Sequence, residues 1–139
     1  MENKQKMPGY TLVGRINATI AKKAHIKAGY IYISNNHVRH IANVHKKELA
    51  LIGIDALSFV RAICGNFNQI RKGSGTSFLL VVYDEKLSRV AAIDLNFSLK
   101  KQYWEVKTAE PRRKSAVIRS ALVWEAAKHT PNGNGNRLD

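Results

Sequence analysis

Three of the five histidines of the chain lie within nine positions of the segment SNNHVRHIANVH, as His37, His40 and His45. Imidazole changes its charge near neutral pH, so a histidine cluster can bind a metal ion or move protons in catalysis. A zinc site would need i, i+4 histidines on a helix or further cysteine and histidine ligands, and the sequence has neither pattern. The sequence therefore predicts no metal and no cofactor. It leaves open acid–base catalysis or an ordinary hydrogen-bonded core histidine.

The helix expected over residues 36–51 places these histidines differently. At about 100° per residue, His45 shares a face with Ile41 and Leu49 and points toward the interior or a cleft. His40 lies on the flank of the helix, and His37 lies near its start. Helical phase therefore distinguishes one inward-facing histidine from one on the flank.

A second group of chemically useful residues lies in the segment VKTAEPRRKS, residues 106–115. It brings a lysine, a threonine and a glutamate to a strand end and follows them with three consecutive cations. Such a strand-to-helix junction suits phosphate binding, because the amides at the start of a helix add to the side-chain charges. The alternative is a solvated run of charges. The residues are Lys107, Thr108, Glu110, Arg112, Arg113 and Lys114.

The charge of the chain predicts an anionic partner. Its 23 Lys and Arg against 10 Asp and Glu give a net charge of +13. A balance of this kind favours nucleic acid, an anionic membrane or an acidic protein as the partner. Nucleic acid is favoured here because aromatic residues lie among the basic ones and no amphipathic membrane-type helix stands out.

The single cysteine and the hydropathy pattern argue against a disulfide-bonded, membrane-spanning or secreted protein. Cys64 excludes an internal disulfide, and its helical face is shared with Phe59 and Ile63, which predicts a packed thiol rather than a nucleophile. No apolar run approaches the roughly 20 residues that span a bilayer. The polar N-terminus predicts no signal peptide. We therefore expect a protein of the cytoplasm, with no membrane partner.

The order of the predicted elements indicates an α+β fold. Helices are expected over 14–26, 36–51 and from Asp55 to Phe67, and strands over 77–83, 89–97 and 102–109, the last ended by Pro111. A final helix is expected over 113–129. The prediction is N-terminal helices, then a three- to four-stranded antiparallel β-meander, then a C-terminal helix. We expect a flexible N-terminus (1–13), one domain (14–128) and a disordered tail (129–139).

Alternation along the two later strands predicts the two faces of the sheet. One face is apolar and is expected to pack against the helices. The other is polar, and an exposed Tyr103 on it would provide a ring on which RNA bases stack. A plain solvated face is the alternative. The apolar set is Ile93, Leu95, Phe97, Trp104 and Val106, and the polar set is Asp94, Asn96, Tyr103, Glu105 and Lys107.

Three motifs occur together in this order: HIANVH on an early helix, GSGTSFLLVV at the start of the meander, and YWEVKTAEPRRKS at its end. Over Gly14 to Trp124 the chain resembles the phage-associated branch of the barnase–EndoU–colicin–RelE (BECR) nuclease superfamily. The resemblance implies a small α+β ribonuclease that cleaves RNA without a metal, through attack of a ribose 2′-hydroxyl on the adjacent phosphate.

The resemblance also implies roles for individual residues. His40 and His45 match the histidine motif and would act as general base or acid. Lys107 would stabilise the phosphate and Thr108 would orient it. Glu110 and Tyr103 are reserve candidates for proton transfer. The implied substrate-binding residues are Arg112, Arg113, Lys114 and Tyr103.

Three functions follow as hypotheses. The first is a metal-independent endoribonuclease acting on RNA such as tRNA. Its expected setting is a toxin or effector of a phage or mobile element, delivered to a target cell and opposed by an immunity or antitoxin protein. The second is a non-catalytic RNA- or DNA-binding domain of the same fold. The third is a structural or adaptor protein whose charge is only a solvated surface.

Overall fold

The computed structural model describes residues 7–127, which form seven strands and five helices. The chain begins with β1 (Tyr10–Ile16), α1 (Ala18–Ala24) and β2 (Gly29–Ser34). Three helices follow: α2 (Asn35–Val44), α3 (Lys46–Ile52) and α4 (Ala56–Asn66). The remaining elements are β3 (Gln69–Lys72), β4 (Phe78–Val82), β5 (Arg89–Ser98), β6 (Tyr103–Arg113), α5 (Lys114–Val117) and β7 (Leu122–Glu125).

All seven strands belong to one mixed sheet with the order β1-β2-β6-β5-β4-β3-β7. The β2–β6 pair is parallel and the other pairs are antiparallel. The predicted fold is therefore wrong. Strands precede the helices as well as follow them, the sheet is larger than a four-stranded meander, and the last described element is a strand.

The N-terminal part shows why the prediction failed. The expected helix over 14–26 begins inside β1, and α1 starts only after Asn17, whose side chain accepts a hydrogen bond from the N–H of Ile20 at 2.8 Å. The i, i+4 spacing of Ile16 and Ile20 joins a strand to a helix. Strand β1 starts at Tyr10, opposite Ser34 of β2, within the segment 1–13 that was expected to precede the domain.

In the C-terminal part, too, one predicted helix covers a short helix and a strand. The expected helix over 113–129 is four residues of α5 followed by β7, whose Trp124 pairs with Ile70 of β3. Strand β6 also continues past Pro111 to Arg113. Proline is tolerated there because β2 pairs with β6 only near Trp104, which leaves the later part of β6 as a strand edge. The expected tail (129–139) and residues 1–6 lie outside the described residues.

The main core lies between one face of the sheet and the helices. Helix α4 packs against β1, β4 and β5, and α2 packs against α4 and β6. The predicted apolar face is confirmed: four of its residues are buried and Phe97 packs against them, the buried ones being Ile93, Leu95, Trp104 and Val106. The opposite face has a smaller core that Val117 of α5 covers, formed with Leu79, Val81, Val90 and Ala92.

Helix α4 approaches β1 unusually closely. Asp55 caps the helix by accepting a hydrogen bond from the N–H of Ser58 at 2.7 Å, and Cys64 is buried on its inner face. The buried position of Cys64 confirms a packed thiol, and this burial raises the pKa of the thiol to about 12. A Cβ added to Gly14 would lie 2.6 Å from the Cβ of Cys64, so this contact requires glycine.

We expect Gly14→Ala to lower the free energy of unfolding by about 1–3 kcal/mol, because the added methyl group overpacks the β1–α4 contact. The control is Gly65→Ala, where an added Cβ meets no atom within 4 Å. Gly65 lies in α4, so that change should stabilise by about 0.5–1 kcal/mol. Urea unfolding midpoints measure both. Equal midpoints for the two variants would contradict the close approach.

Candidate active site

His45 occupies the junction between α2 and α3. It is the C-cap of α2 and the N-cap of α3, with φ −111° and ψ 28°. The single helix predicted over 36–51 is therefore broken at this residue. Its backbone N–H still donates to the carbonyl of Ile41 at 3.0 Å. The side chain is 14% exposed, which agrees with the prediction that it points toward the interior or a cleft. The junction holds a partly exposed imidazole at the surface of the sheet.

The position of α2 brings this imidazole to β6. Strand β2 ends at Ser34, which caps α2 by accepting a hydrogen bond from the N–H of His37 at 3.1 Å. The chain therefore turns from a strand directly into a helix beside the part of β6 that β2 leaves unpaired. The ring of His37 stays at the cap, with Nδ1 2.6 Å from Oγ of Ser34.

His45 belongs to a group of four side chains that are joined by short contacts. Nδ1 of His45 lies 3.4 Å from Oε2 of Glu48, and Nε2 lies 3.3 Å from Oε1 of Glu110. The other oxygen of Glu110 lies 3.1 Å from Nε of Arg112. We call Glu48, His45, Glu110 and Arg112 the His45 cluster. Two carboxylates bracket one imidazole, and a guanidinium balances the second of them.

The two carboxylates of the cluster differ in their anchoring. A hydrogen bond from its own backbone N–H, followed by the contact with His45, lowers the pKa of the exposed Glu48 carboxyl. Glu48 therefore stays ionised and can hold Nδ1 in the protonated form. Glu110 belongs to β6 and is also bound to a cation, so Nε2 is the ring nitrogen that faces the sheet.

The pairing register of β5 and β6 sets the positions of Lys107 and Thr108, the other predicted catalytic residues. A β-bulge shifts the pairing between Thr108, opposite Asp94, and Val106, opposite Leu95, which leaves Lys107 without a partner residue. Nζ of Lys107 lies 3.6 Å from Oε1 of Glu105. After the bulge, alternation puts Thr108, Glu110 and Arg112 on the sheet face that bears the smaller core.

Three buried polar atoms on this face have no hydrogen-bond partner: Oδ1 of Asp94, Oγ1 of Thr108 and Nε of Arg112. Nε of Arg112 is ion-paired with Glu110 but is not aligned for a hydrogen bond. Among residues 7–127 no other buried side-chain atom is unsatisfied. Buried polar groups are normally paired, so these three atoms mark this part of β5 and β6 as a candidate binding surface.

Other residues predicted for the site are not members of the His45 cluster. His40 is exposed on α2, and Arg113 is exposed at the end of β6. Nζ of Lys114 donates to the backbone carbonyl of Glu85 at 2.6 Å. Helix α5 has only four residues, so the long last helix expected after the three cations is wrong, and their binding of phosphate stays a prediction.

Tyr103 is also placed differently from the prediction. Its side chain is 3% exposed, and its ring centroid lies 5.0 Å from that of Tyr32 and 6.4 Å from that of Tyr10. Burial raises the pKa of its phenol. The prediction of an exposed ring for base stacking is therefore wrong. Tyr103 packs the β2–β6 junction instead.

Glu48 of the His45 cluster and Asp94, opposite Thr108 on β5, were not predicted as site residues. Glu48 lies three residues after His45, a spacing that joins neighbours on a helix, and this signal was available. Asp94 faces Thr108 only because of the register of two strands, and no local pattern indicates that pairing.

Comparisons of the chain with protein-family models, with curated proteins and with solved structures find no match. The likeness to the nuclease superfamily therefore rests on sequence motifs alone. Within residues 7–127, no helix has both the length and the apolar character needed to cross a membrane. Over that same range, no three His, Cys, Asp or Glu side chains are grouped to hold a metal ion.

Proposed function

We propose that this chain is a metal-independent endoribonuclease that uses the His45 cluster to transfer a proton. The observation that carries the proposal is the contact of Nε2 of His45 with Glu110 at 3.3 Å, beside the ion pair of Glu110 with Arg112. A proton-transfer pair next to a guanidinium is the combination that phosphodiester transesterification requires.

The chemistry can be written with these side chains. The ribose O2′ attacks phosphorus, an O2′–P bond forms and the P–O5′ bond breaks. The 2′-hydroxyl proton passes to the His45–Glu110 pair, and the leaving 5′-oxygen takes a proton from water. The pair then returns its proton to the hydroxide that remains. Glu48 holds Nδ1 and fixes the ring. Arg112 and Lys107 stabilise the charge that accumulates on the phosphorane oxygens.

The charge of the chain supports an RNA substrate. A net charge of +13 attracts a polyanion, and the exposed Arg113 lies next to Arg112 where a neighbouring phosphate could bind. The three sequence motifs support a role as a phage or mobile-element toxin or effector. Such a role would require an immunity or antitoxin protein in the producing cell.

A second candidate function is a nucleic-acid-binding domain without activity. It is favoured by one observation: both ring nitrogens of His45 already contact carboxylates, so substrate must compete for Nε2. This alternative predicts binding that weakens steeply with salt and no cleavage.

The test is incubation of the full chain with tRNA and with total RNA in EDTA. We expect fragments that end in 2′,3′-cyclic phosphates. Salt-sensitive binding with intact RNA would replace the enzyme with the binding domain. Failure to bind heparin or RNA at low salt would overturn both functions.

Thr108→Val should separate function from stability. The substitution keeps the shape but removes a buried hydroxyl that has no partner in the free protein, so the free energy of unfolding should stay within about 1 kcal/mol of the parent or rise. In the proposed function Thr108 donates a hydrogen bond to the charged phosphate, and its loss should slow cleavage by about 10-fold or more. Thr19→Val on the exposed face of α1 is the control, since the two residues have similar helix propensity. Equal cleavage by Thr108→Val and the parent would exclude a role for the hydroxyl.

A further inference from the structure

A pocket of about 540 Å³ lies at the end of the sheet where β5 turns into β6. Phe78, Phe97 and Trp104 supply its aromatic surface, with Lys27, Thr76 and Leu99 around them. We call it the aromatic pocket. Trp104 and Glu110 are six residues apart on β6, or about 20 Å at 3.3 Å per residue. The aromatic pocket is therefore separate from the His45 cluster.

The rings of the aromatic pocket are fixed by their contacts. The indole N–H of Trp104 donates to the carbonyl of Lys27 at 3.0 Å, and Trp104 is 1% exposed. Phe78 and Phe97 meet it edge to face, with centroids 5.9 and 5.0 Å away. Both phenylalanines are only partly buried. The pocket thus presents rigid ring surface to solvent instead of closing over it.

The charged groups at the aromatic pocket are cationic. Nζ of Lys72 lies over the ring of Phe78, 4.9 Å from its centroid, and Lys27 lines the pocket. Leu99, at the rim, is 75% exposed and is followed by the exposed Lys100. No acidic residue lines the pocket. The surroundings therefore favour a planar ring that is attached to a negatively charged group.

We propose that the aromatic pocket binds one nucleobase of an RNA strand, with the attached phosphate beside Lys27 and Lys72. Lys72 already covers one face of Phe78, so the base would stack on Phe97. Base–aromatic stacking is largely independent of sequence, because every base has a π face. The proposal rests on RNA being the substrate of the His45 cluster and adds a site that binds RNA away from the cleaved bond.

The first experiment measures binding of a labelled RNA decamer by the full-length His45→Ala protein, in which cleavage is expected to be slow. Adding Phe97→Leu keeps an apolar side chain and removes the stacking surface. We expect the Kd to rise by about 5-fold to 100-fold, the range for one lost base stack. The matched control is Phe67→Leu, at a ring that packs on Trp124 outside the pocket, with less than a two-fold change. Equal effects of the two variants would overturn the proposal.

The second experiment leaves the pocket unmutated and follows the Trp104 indole N–H by NMR, assigned with Trp124→Phe. Adenosine or guanosine monophosphate should shift this resonance, and inorganic phosphate alone should not. A shift with octanoate but not with nucleotides would overturn the proposal in favour of an acyl ligand. If the parent cleaves RNA and Phe97→Leu has no effect on binding, the aromatic-pocket proposal is overturned and the nuclease proposal stands. If nucleotides bind but the parent does not cleave RNA, the nuclease proposal is overturned and the aromatic pocket stands.

Discussion

His45→Ala should lower the single-turnover rate of RNA cleavage in EDTA by about 10²-fold to 10⁴-fold, the usual contribution of a positioned proton-transfer group. His45 is the histidine that contacts both Glu48 and Glu110, and its ring is only 14% exposed. His40→Ala should cost less than about 10-fold, since an exposed His40 can assist only by contacting RNA. The comparison of the two variants assigns the proton transfer to one histidine.

A second substitution guards against simple loss of the fold. His45 joins α2 to α3, so truncation could disturb the junction, and urea midpoints should be measured for both variants. His45→Gln keeps a polar side chain of similar length that can hydrogen-bond to a carboxylate but cannot carry a proton at neutral pH. It should be as slow as His45→Ala while retaining RNA affinity. A slower His40→Ala than His45→Ala would transfer the catalytic role to His40.

The residues predicted most accurately are those whose environment is local or follows strand alternation. Asp55 and the stripe of Phe59 and Ile63 gave α4 its position from one helix cap and one helical period. Alternation likewise identified the buried face of β5 and β6. The inward direction of His45 also follows from helical phase, although the helix breaks at that residue.

The parts that the sequence analysis missed depend on pairing over long distances. Strand β1 is paired with β2, and β2 is placed in the sheet by two parallel partners on β6, more than 70 residues later. No local pattern shows such a pairing, so Ile16 and Ile20 were assigned to one helix. The His45–Glu110 contact has the same origin, because it needs α2 to lie beside the unpaired edge of β6.

Glu110→Gln should change cleavage and binding in opposite directions. The amide keeps the size of the side chain but cannot accept the proton, so cleavage should slow by about 10²-fold or more. It also removes the negative charge that pairs with Arg112, which leaves that guanidinium available to a phosphate. RNA should therefore bind more tightly to Glu110→Gln than to the parent. Single-turnover cleavage and anisotropy measurements at one salt concentration provide the two values.

The control for Glu110→Gln is Glu85→Gln, which removes the same charge from an exposed turn. If Glu85→Gln tightens RNA binding equally, the gain in affinity reflects net charge and Arg112 has no special part in it. The double variant His45→Ala/Glu110→Gln tests the pair itself. Two groups that handle the same proton are strongly non-additive, so the double variant should be no more than about three-fold slower than the slower single variant. Multiplying losses would show that His45 and Glu110 act on different protons, which would overturn the pair as one catalytic unit.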